Sequence, residues 1–239
     1  SAALVHTNLV TTHAIGKSGN HHFLEKEFVS GRSLQQENDE FGPIGHLRST
    51  QMADGISDGL SAAHRLGIGH SDLNPDNVLV TPAGYPKIAD FGLAKQIHSE
   101  QLGPARLAGT PHFMAPELFN GEEATPASDV FALGVCYYLM LTGCFPFEGE
   151  SIRALMAATL TGEYVSVRRR APDIPLDVAD CVSLMLARSP ENRPRDGAAI
   201  SQLLQAVLGS SRDLDTLAYE AFNDIPSITY ESVNRAVRI

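Results

Sequence analysis

Asp72, Asn74, Asp76 and Asn77 are packed into the stretch HSDLNPDNVLV (70–80), just ahead of an apolar run, and Asp90 follows eighteen residues after Asp72, in ADFGLA. Asn and Asp in a turn can serve backbone geometry alone. Their chemistry offers a second reading. Asp72, Asn77 and Asp90 each fall at the edge of a short hairpin and can converge on one point. Two carboxylates brought together repel, and a hard cation held between Asp90 and Asn77 removes that conflict, because oxygen ligands suit magnesium. Magnesium is seldom caged by protein alone, so a phosphate ligand is implied.

Such a site needs rigid elements to hold it. NLVTTHAI and HHFLEKEFV, separated by the turn cluster GKSGN, read as strands within residues 1–34. Ile44, Leu47, Met52, Ile56, Leu60, Ala63 and Leu66 fall mostly three or four apart and predict one long helix from Pro43 to Leu66. NVLV and YPKIADF form two short strands around the turn TPAG. Residues 93–116 hold much Gly, Pro and Ala and little periodicity, so they read as a long functional loop. ASDVFALGVCYYLMLTG (127–143) is apolar on nearly every side and predicts a helix inside the domain, capped by Ser128 or Asp129. Further helices are expected near 151–161, 176–187 and 196–208, and the pattern fades after Gly209. A small strand-rich start therefore meets a mainly helical body around FVSGRSLQQEND, a natural place for a ligand cleft.

Bulk properties narrow the classes of function. The 239 residues are 43% hydrophobic and 19% charged, enough to bury a real core. The formal charge of −10 repels nucleic acid and anionic membrane, and VRRRAP (167–172) reads as a solvated loop that does not reverse it. Cys136, Cys144 and Cys181 lie in apolar stretches at spacings unlike a zinc pattern, which fits reduced thiols. No apolar run reaches membrane-spanning length, and no basic leader precedes an apolar segment. The expectation is a cytoplasmic protein, or a soluble piece of a larger one, without nucleic-acid or membrane partners.

Five stretches then carry a family resemblance. HSDLNPDN looks like the catalytic loop of a eukaryotic-type (Hanks-type) serine/threonine protein kinase, and DFG (90–92) resembles its metal-binding motif. GTPHFMAPE (109–117) resembles the end of the activation segment, SDVFALGV the start of the central buried helix, and SPENRP (189–194) the late arginine motif. The five stand in family order over residues 6–208. The resemblance implies an α+β, protein-kinase-like fold. Residues 1–28 would be a remnant of the β-rich small lobe, 29–40 the hinge and connector, 41–208 the mainly α-helical large lobe, and 209–239 a tail or linker. It also implies ATP and Mg2+ as cofactors and a protein Ser/Thr hydroxyl as acceptor. Asp72 would accept or orient the proton of the attacking hydroxyl, and Asn77 and Asp90 would hold magnesium on the nucleotide phosphates. Thr110 would hydrogen-bond toward Asp72. The backbone of Glu27 and Val29 would meet adenine, with Leu79 as its apolar floor. His70 would pack with Phe91, Asp129 would accept backbone N–H groups from the catalytic loop, and Glu117 and Arg193 would form a buried ion pair.

The chain also departs from the family pattern. It has no glycine-rich phosphate loop and no strand lysine; AIGK (14–17) follows HTNLV and so comes too late to supply one. The simplest expectation is a chain that starts inside the small lobe, the alternative a protein that naturally lacks these parts. Asn74, also assigned to the catalytic set, stands where the family has a lysine reaching the transferred phosphate. It can donate a hydrogen bond but carries no charge, a loss that could cost on the order of 10²-fold in rate. Lys26 falls either at the back of the adenine pocket or, one register away, on the surface. Ser71 replaces the arginine that grips a loop phosphate, and Arg106 stands four residues before Thr110, where that phosphoacceptor often sits. Ser99 reads as a surface loop serine, and Asp76 lies where an acid can favour basic substrates. Three functions fit this sequence. They are a serine/threonine protein kinase seen as an incomplete catalytic domain with little catalysis of its own, a pseudokinase scaffold, and a small-molecule phosphotransferase of the kinase-like superfamily. GTPHFMAPE argues against the last.

Overall fold

The structure is a computed structural model and describes residues 4–19, 21–91 and 110–209; Ser99, Arg106 and the tail from 210 onward lie outside the described residues. The chain opens with a hairpin in which β1 (Thr12–Ser18) pairs antiparallel with β2 (His21–Lys26). The turn is shorter than GKSGN predicts, because β1 continues through Gly16, Lys17 and Ser18. Gly16 lies opposite Phe23, whose ring covers it so closely that a Cβ there would have to push the ring aside. An aromatic neighbour shielding the bare backbone lets the glycine stay in the strand. β1 also starts later than the sequence pattern predicts. Asn8 and Leu9 turn instead toward β5 (Pro86–Ile88), where Leu9 bridges Ile88 in parallel and the Asn8 amide donates to the Pro86 carbonyl at 2.9 Å.

A second sheet has the order β3-β4-β5, all antiparallel, with β3 at Arg32–Ser33 and β4 at Val78–Val80. Helix α1 (Leu34–Phe41) starts directly after β3 under a capping box formed by Ser33 and Gln36. Helix α2 (His46–His64) fills most of the predicted long helix and packs against β5 and the central helix α4 (Pro126–Thr142). Between these two helices in the chain lies the one-turn helix α3 (Pro116–Phe119).

Helix α4 is buried along almost its whole length, as expected from its apolar sequence. Its start differs from expectation. Thr125 is the cap, Pro126 occupies the first helical position, and the Thr125 N–H donates to Ser128 Oγ at 3.1 Å. Asp129 is thereby released from capping and points at the turn that follows α2. Gly143, with φ 71°, closes the helix in the left-handed region that glycine tolerates. The remaining helices are α5 (Ile152–Thr161), which packs on α3, α6 (Val167–Arg170) and α7 (Leu176–Met185), which pack on α4, and α8, over residues 197–209, whose Gly197 lies against α2. VRRRAP is therefore not a loop: its buried Val167 anchors the single turn α6, leaving three arginines exposed. One apolar core runs from Leu9 and Ile88 through Ile56 and Leu60 to Phe131, Leu133, Val178 and Val182. Among the described residues no helix is long and apolar enough to cross a membrane.

Candidate active site

The turn between α2 and β4 is held from below by one carboxylate. Asp129 Oδ2 accepts the His70 N–H at 2.7 Å and Oδ1 accepts the Ser71 N–H at 2.8 Å, the contacts expected of it. A third donor was not foreseen. His64 Nδ1 accepts the Gly197 N–H at 3.2 Å, which leaves the ring proton on Nε2, and Nε2 donates to Asp129 Oδ2 at 3.0 Å. Residues 64, 129 and 197 belong to three distant helices, so no local motif announces their meeting. His70 is fully buried; its Nε2 faces the Ala89 carbonyl at 2.8 Å and its Nδ1 accepts the Asp72 N–H at 3.2 Å. Its ring meets Phe91 edge-on, with centroids 4.7 Å apart.

Asn74 does something other than expected. Its Oδ1 accepts the N–H groups of Asp76 and Asn77 at 3.0 and 3.2 Å, capping the short 3-10 turn Pro75–Asn77. Its Nδ2 donates to the Asp72 carbonyl at 3.0 Å and stands 3.5 Å from both Asp72 Oδ1 and Thr110 Oγ1. The side chain is buried and committed to shaping the loop, a departure from the expectation of a donor aimed at substrate. Asn followed by Pro is a cap signal that the sequence already carried. Asn77 donates Nδ2 to the Asp72 carbonyl at 2.9 Å, and its own backbone carbonyl accepts from Ala89 N at 2.8 Å. Its side-chain oxygen has no protein donor among the described residues. Thr110 approaches Asp72 through its backbone: the Thr110 N–H reaches Asp72 Oδ1 at 3.3 Å, and Oδ2 has no hydrogen-bond donor among the described residues.

Asp90 follows Ala89 with φ 63°, and Ser71 has φ 66°; both are left-handed conformations that non-glycine residues adopt at a cost of about 1–3 kcal/mol. Strain of this kind brackets the site on both sides. The two registers open for Lys26 are decided: its ammonium forms an ion pair with Asp90 Oδ1, so it points into the cleft. Glu27 turns the other way. Its carboxylate meets Lys87 Nζ at 2.6 Å and the Thr11 N–H at 3.1 Å. The Lys87 hydrogen bond is the main reason its pKa falls to about 2, against a smaller opposing push from burial. The Glu27 N–H is used by the Thr11 carbonyl at 2.8 Å, while the Glu27 carbonyl and both backbone groups of Val29 have no partner among the described residues. Leu79 sits half-buried between buried Val78 and Val80, so it faces the opposite side of the sheet from the core.

Glu117 and Arg193 form the expected buried pair away from these groups, with Nη1–Oε1 and Nη2–Oε2 both 2.8 Å. Burial pushes the Glu117 carboxyl up, but the Arg193 hydrogen bonds, with help from Ser128, outweigh it and hold the group below its ordinary range. The remaining Arg193 donors reach the carbonyls of Ala127, Ala187 and Arg188. Every guanidinium hydrogen bond therefore supports structure.

The donor set near Asp72 suits a hard cation: one amide oxygen from Asn77 and the carboxylate of Asp90. Among the described residues no cluster of three or more His, Cys, Asp or Glu side chains could hold a metal by itself. A cation bound here must draw further oxygens from a ligand or water. A cavity of about 710 Å³ is lined by Arg32, Glu37, Arg48 and Thr81 and includes none of these groups. A narrow pocket of about 20 Å³ lies at Asp72 itself, with Leu73, Thr110 and Phe113 on its walls. The chemistry marks the site; cavity size does not.

A family sequence model described as "Protein kinase domain" matches residues 1–207. The serine/threonine-protein kinase pkn3 of Myxococcus xanthus is 32% identical over 212 residues, covering 84% of this chain and 39% of its own length. PknL of Mycobacterium tuberculosis is 31% identical over 207 residues, covering 86% of this chain and 52% of itself. PrkC of Bacillus subtilis is 29% identical over 223 residues, covering 93% and 34%. Among solved structures, Rad53 in complex with AMP-PNP superposes with a TM-score of 0.71 at 26% identity, over 82% of this chain and 50% of that one. The chain spans about a third to a half of the length of these curated relatives.

Proposed function

The chain belongs to the protein kinase domain family, and from that premise we propose that it transfers the γ-phosphoryl group of ATP to serine or threonine hydroxyls of proteins. One observation carries the reading. Asn77 is bonded through its side chain to Asp72 and through its backbone to Ala89, beside Asp90. That run of hydrogen bonds ties the backbone of residue 72 to residue 77 and residue 77 to residue 89, which supports a reading in which the side chains of Asp72, Asn77 and Asp90 work together. Asp72 would receive the acceptor hydroxyl: Oδ1 accepts the Thr110 N–H, and Oδ2 would take the proton. Asn77 Oδ1 and the Asp90 carboxylate would hold Mg2+, which when bound neutralises and orients the phosphate oxygens. The Glu27 carbonyl and the Val29 backbone, unpartnered among the described residues, would pair with adenine, and Leu79 would offer it an apolar surface. Phosphoryl transfer asks mainly for fixed positions, and the three donors on Asp129 supply them from below. Protein substrates, a cytoplasmic setting and the partition at residues 28, 40 and 208 belong to the same proposal.

The test is transfer from ATP and Mg2+ to a general acceptor such as casein, read as phosphoserine and phosphothreonine. Asp72→Asn should reduce incorporation by about 10²–10⁴-fold. Equal incorporation by the two proteins overturns the proposal. A second reading, a nucleotide-binding scaffold without turnover, is favoured by Asn74, whose amide is spent on the loop and brings no charge to the cleft. Mg2+-dependent nucleotide binding with no transfer would select it.

A further inference from the structure

Lys26 is the last residue of β2, and its ammonium group rests on Asp90 Oδ1. Among the described residues no other lysine or arginine touches Asp72, Asn77 or Asp90. Lys87, the nearest alternative along the chain, is held by Glu27 at 2.6 Å and by the Leu9 carbonyl at 3.3 Å. Glu27 in turn faces Lys87 and Thr11, so it does not compete for Lys26. Position 74 offers no charge, and its amide is already used.

The nucleotide reading above needs Mg2+ and cationic side chains to meet the charge of a triphosphate, and among the described residues Lys26 is the one that touches Asp90. Resting on that reading, we propose that Lys26 is a phosphate-positioning cation of the cleft. In the empty protein it neutralises Asp90; with nucleotide present it turns to the phosphate oxygens. Three features support the exchange. A cation loaded on Asp90 competes for the negative charge that holds the Lys26 ammonium, so Mg2+ there would weaken the pair and leave Lys26 beside the phosphates that the metal carries. The Lys26 and Asp90 side chains are 29% and 37% exposed, so their pairing is screened and easily traded for another anion. The lysine stem is unbranched and flexible, with three donors that rotate to follow a moving partner.

The experiment is calorimetric binding of AMP-PNP with Mg2+, and separately of adenosine, to the full chain and to Lys26→Met and Lys26→Arg. Lys26→Met keeps the length of the stem and removes the charge. It should weaken AMP-PNP by about tenfold or more, the loss of one charge-assisted contact, while adenosine changes less than about twofold, and Lys26→Arg should restore most of the loss. Unchanged or tighter AMP-PNP binding in Lys26→Met overturns the proposal, making Lys26 a bystander or a plug on the metal site. Equal losses for both ligands overturn it too, assigning Lys26 to the fold. Wild-type protein that binds neither ligand defeats the nucleotide reading itself and this inference with it.

Discussion

The β1–β2 hairpin and helix α4 lie in one chain under opposite conditions. Six of the seven β1 residues are exposed, whereas fifteen of the seventeen in α4 are buried, so only the helix can contribute core energy of its own. A two-stranded hairpin is marginal in water without something to lean on. This one leans on a few attachments to the body: Leu9 at Ile88, Asn8 at Pro86, Glu27 at Lys87 and Lys26 at Asp90. The cleft between them therefore has one wall that stands by itself and another that is hung from it. Most of the candidate chemistry, Asp72, Asn77 and Asp90, is on the self-supporting wall.

That contrast can be broken from either side. The largest effect is expected in the body, from Glu117→Gln, which leaves the buried Arg193 charge unmatched; about 3–5 kcal/mol of stability should disappear in urea unfolding. A cost under 1 kcal/mol would mean that the pair is not buried in solution. Next, Leu133→Ala should cost about 2–5 kcal/mol by opening a cavity beside fully packed neighbours. The matching change in the hairpin, Ile15→Ala, removes a side chain that is 72% exposed and should cost less than about 0.5 kcal/mol. Similar costs for the two would erase the distinction between the walls. The smallest effect belongs to the seam. Glu27→Gln should cost at most about 1 kcal/mol at neutral pH, since the pair with Lys87 is partly solvated. Because the folded protein holds the Glu27 carboxyl near 2, below its ordinary 4.5, its contribution is complete above about 4.5 and is lost as pH falls toward 2. Wild type and variant should converge over that window, and a gap that stays constant would show that the charge is irrelevant to the attachment.

How far the sequence disclosed all this varied with distance along the chain. The β4–β5 hairpin, on which the candidate residues Asn77 and Asp90 border, was readable because two short apolar runs enclose a Pro- and Gly-containing turn. The buried character of α4 was readable from its unbroken apolar run. Asn74 was misjudged because its family position drew attention away from a local fact, that Asn before Pro caps a turn. The start of α4 was misjudged for a related reason: Ser128 and Asp129 are both good caps, and Pro126 decided for Thr125. β1 ran on through Gly16 because Phe23, on the opposite strand, covers it, and register was needed to see that. His64 was beyond reach, since its partners are 65 and 133 residues away. Lys26 needed only one bit of information, the face of the strand it occupies, and periodicity could not supply it.

The three donors gathered on Asp129 bind together the fates of the turn and the interior. This carboxylate sits in the first turn of α4 and grips residues 64, 70 and 71, while His64 reaches on to residue 197. The turn that carries Asp72 cannot drift out of shape a little at a time as the protein warms. It keeps its arrangement until the helical interior melts, and loses it when that interior does.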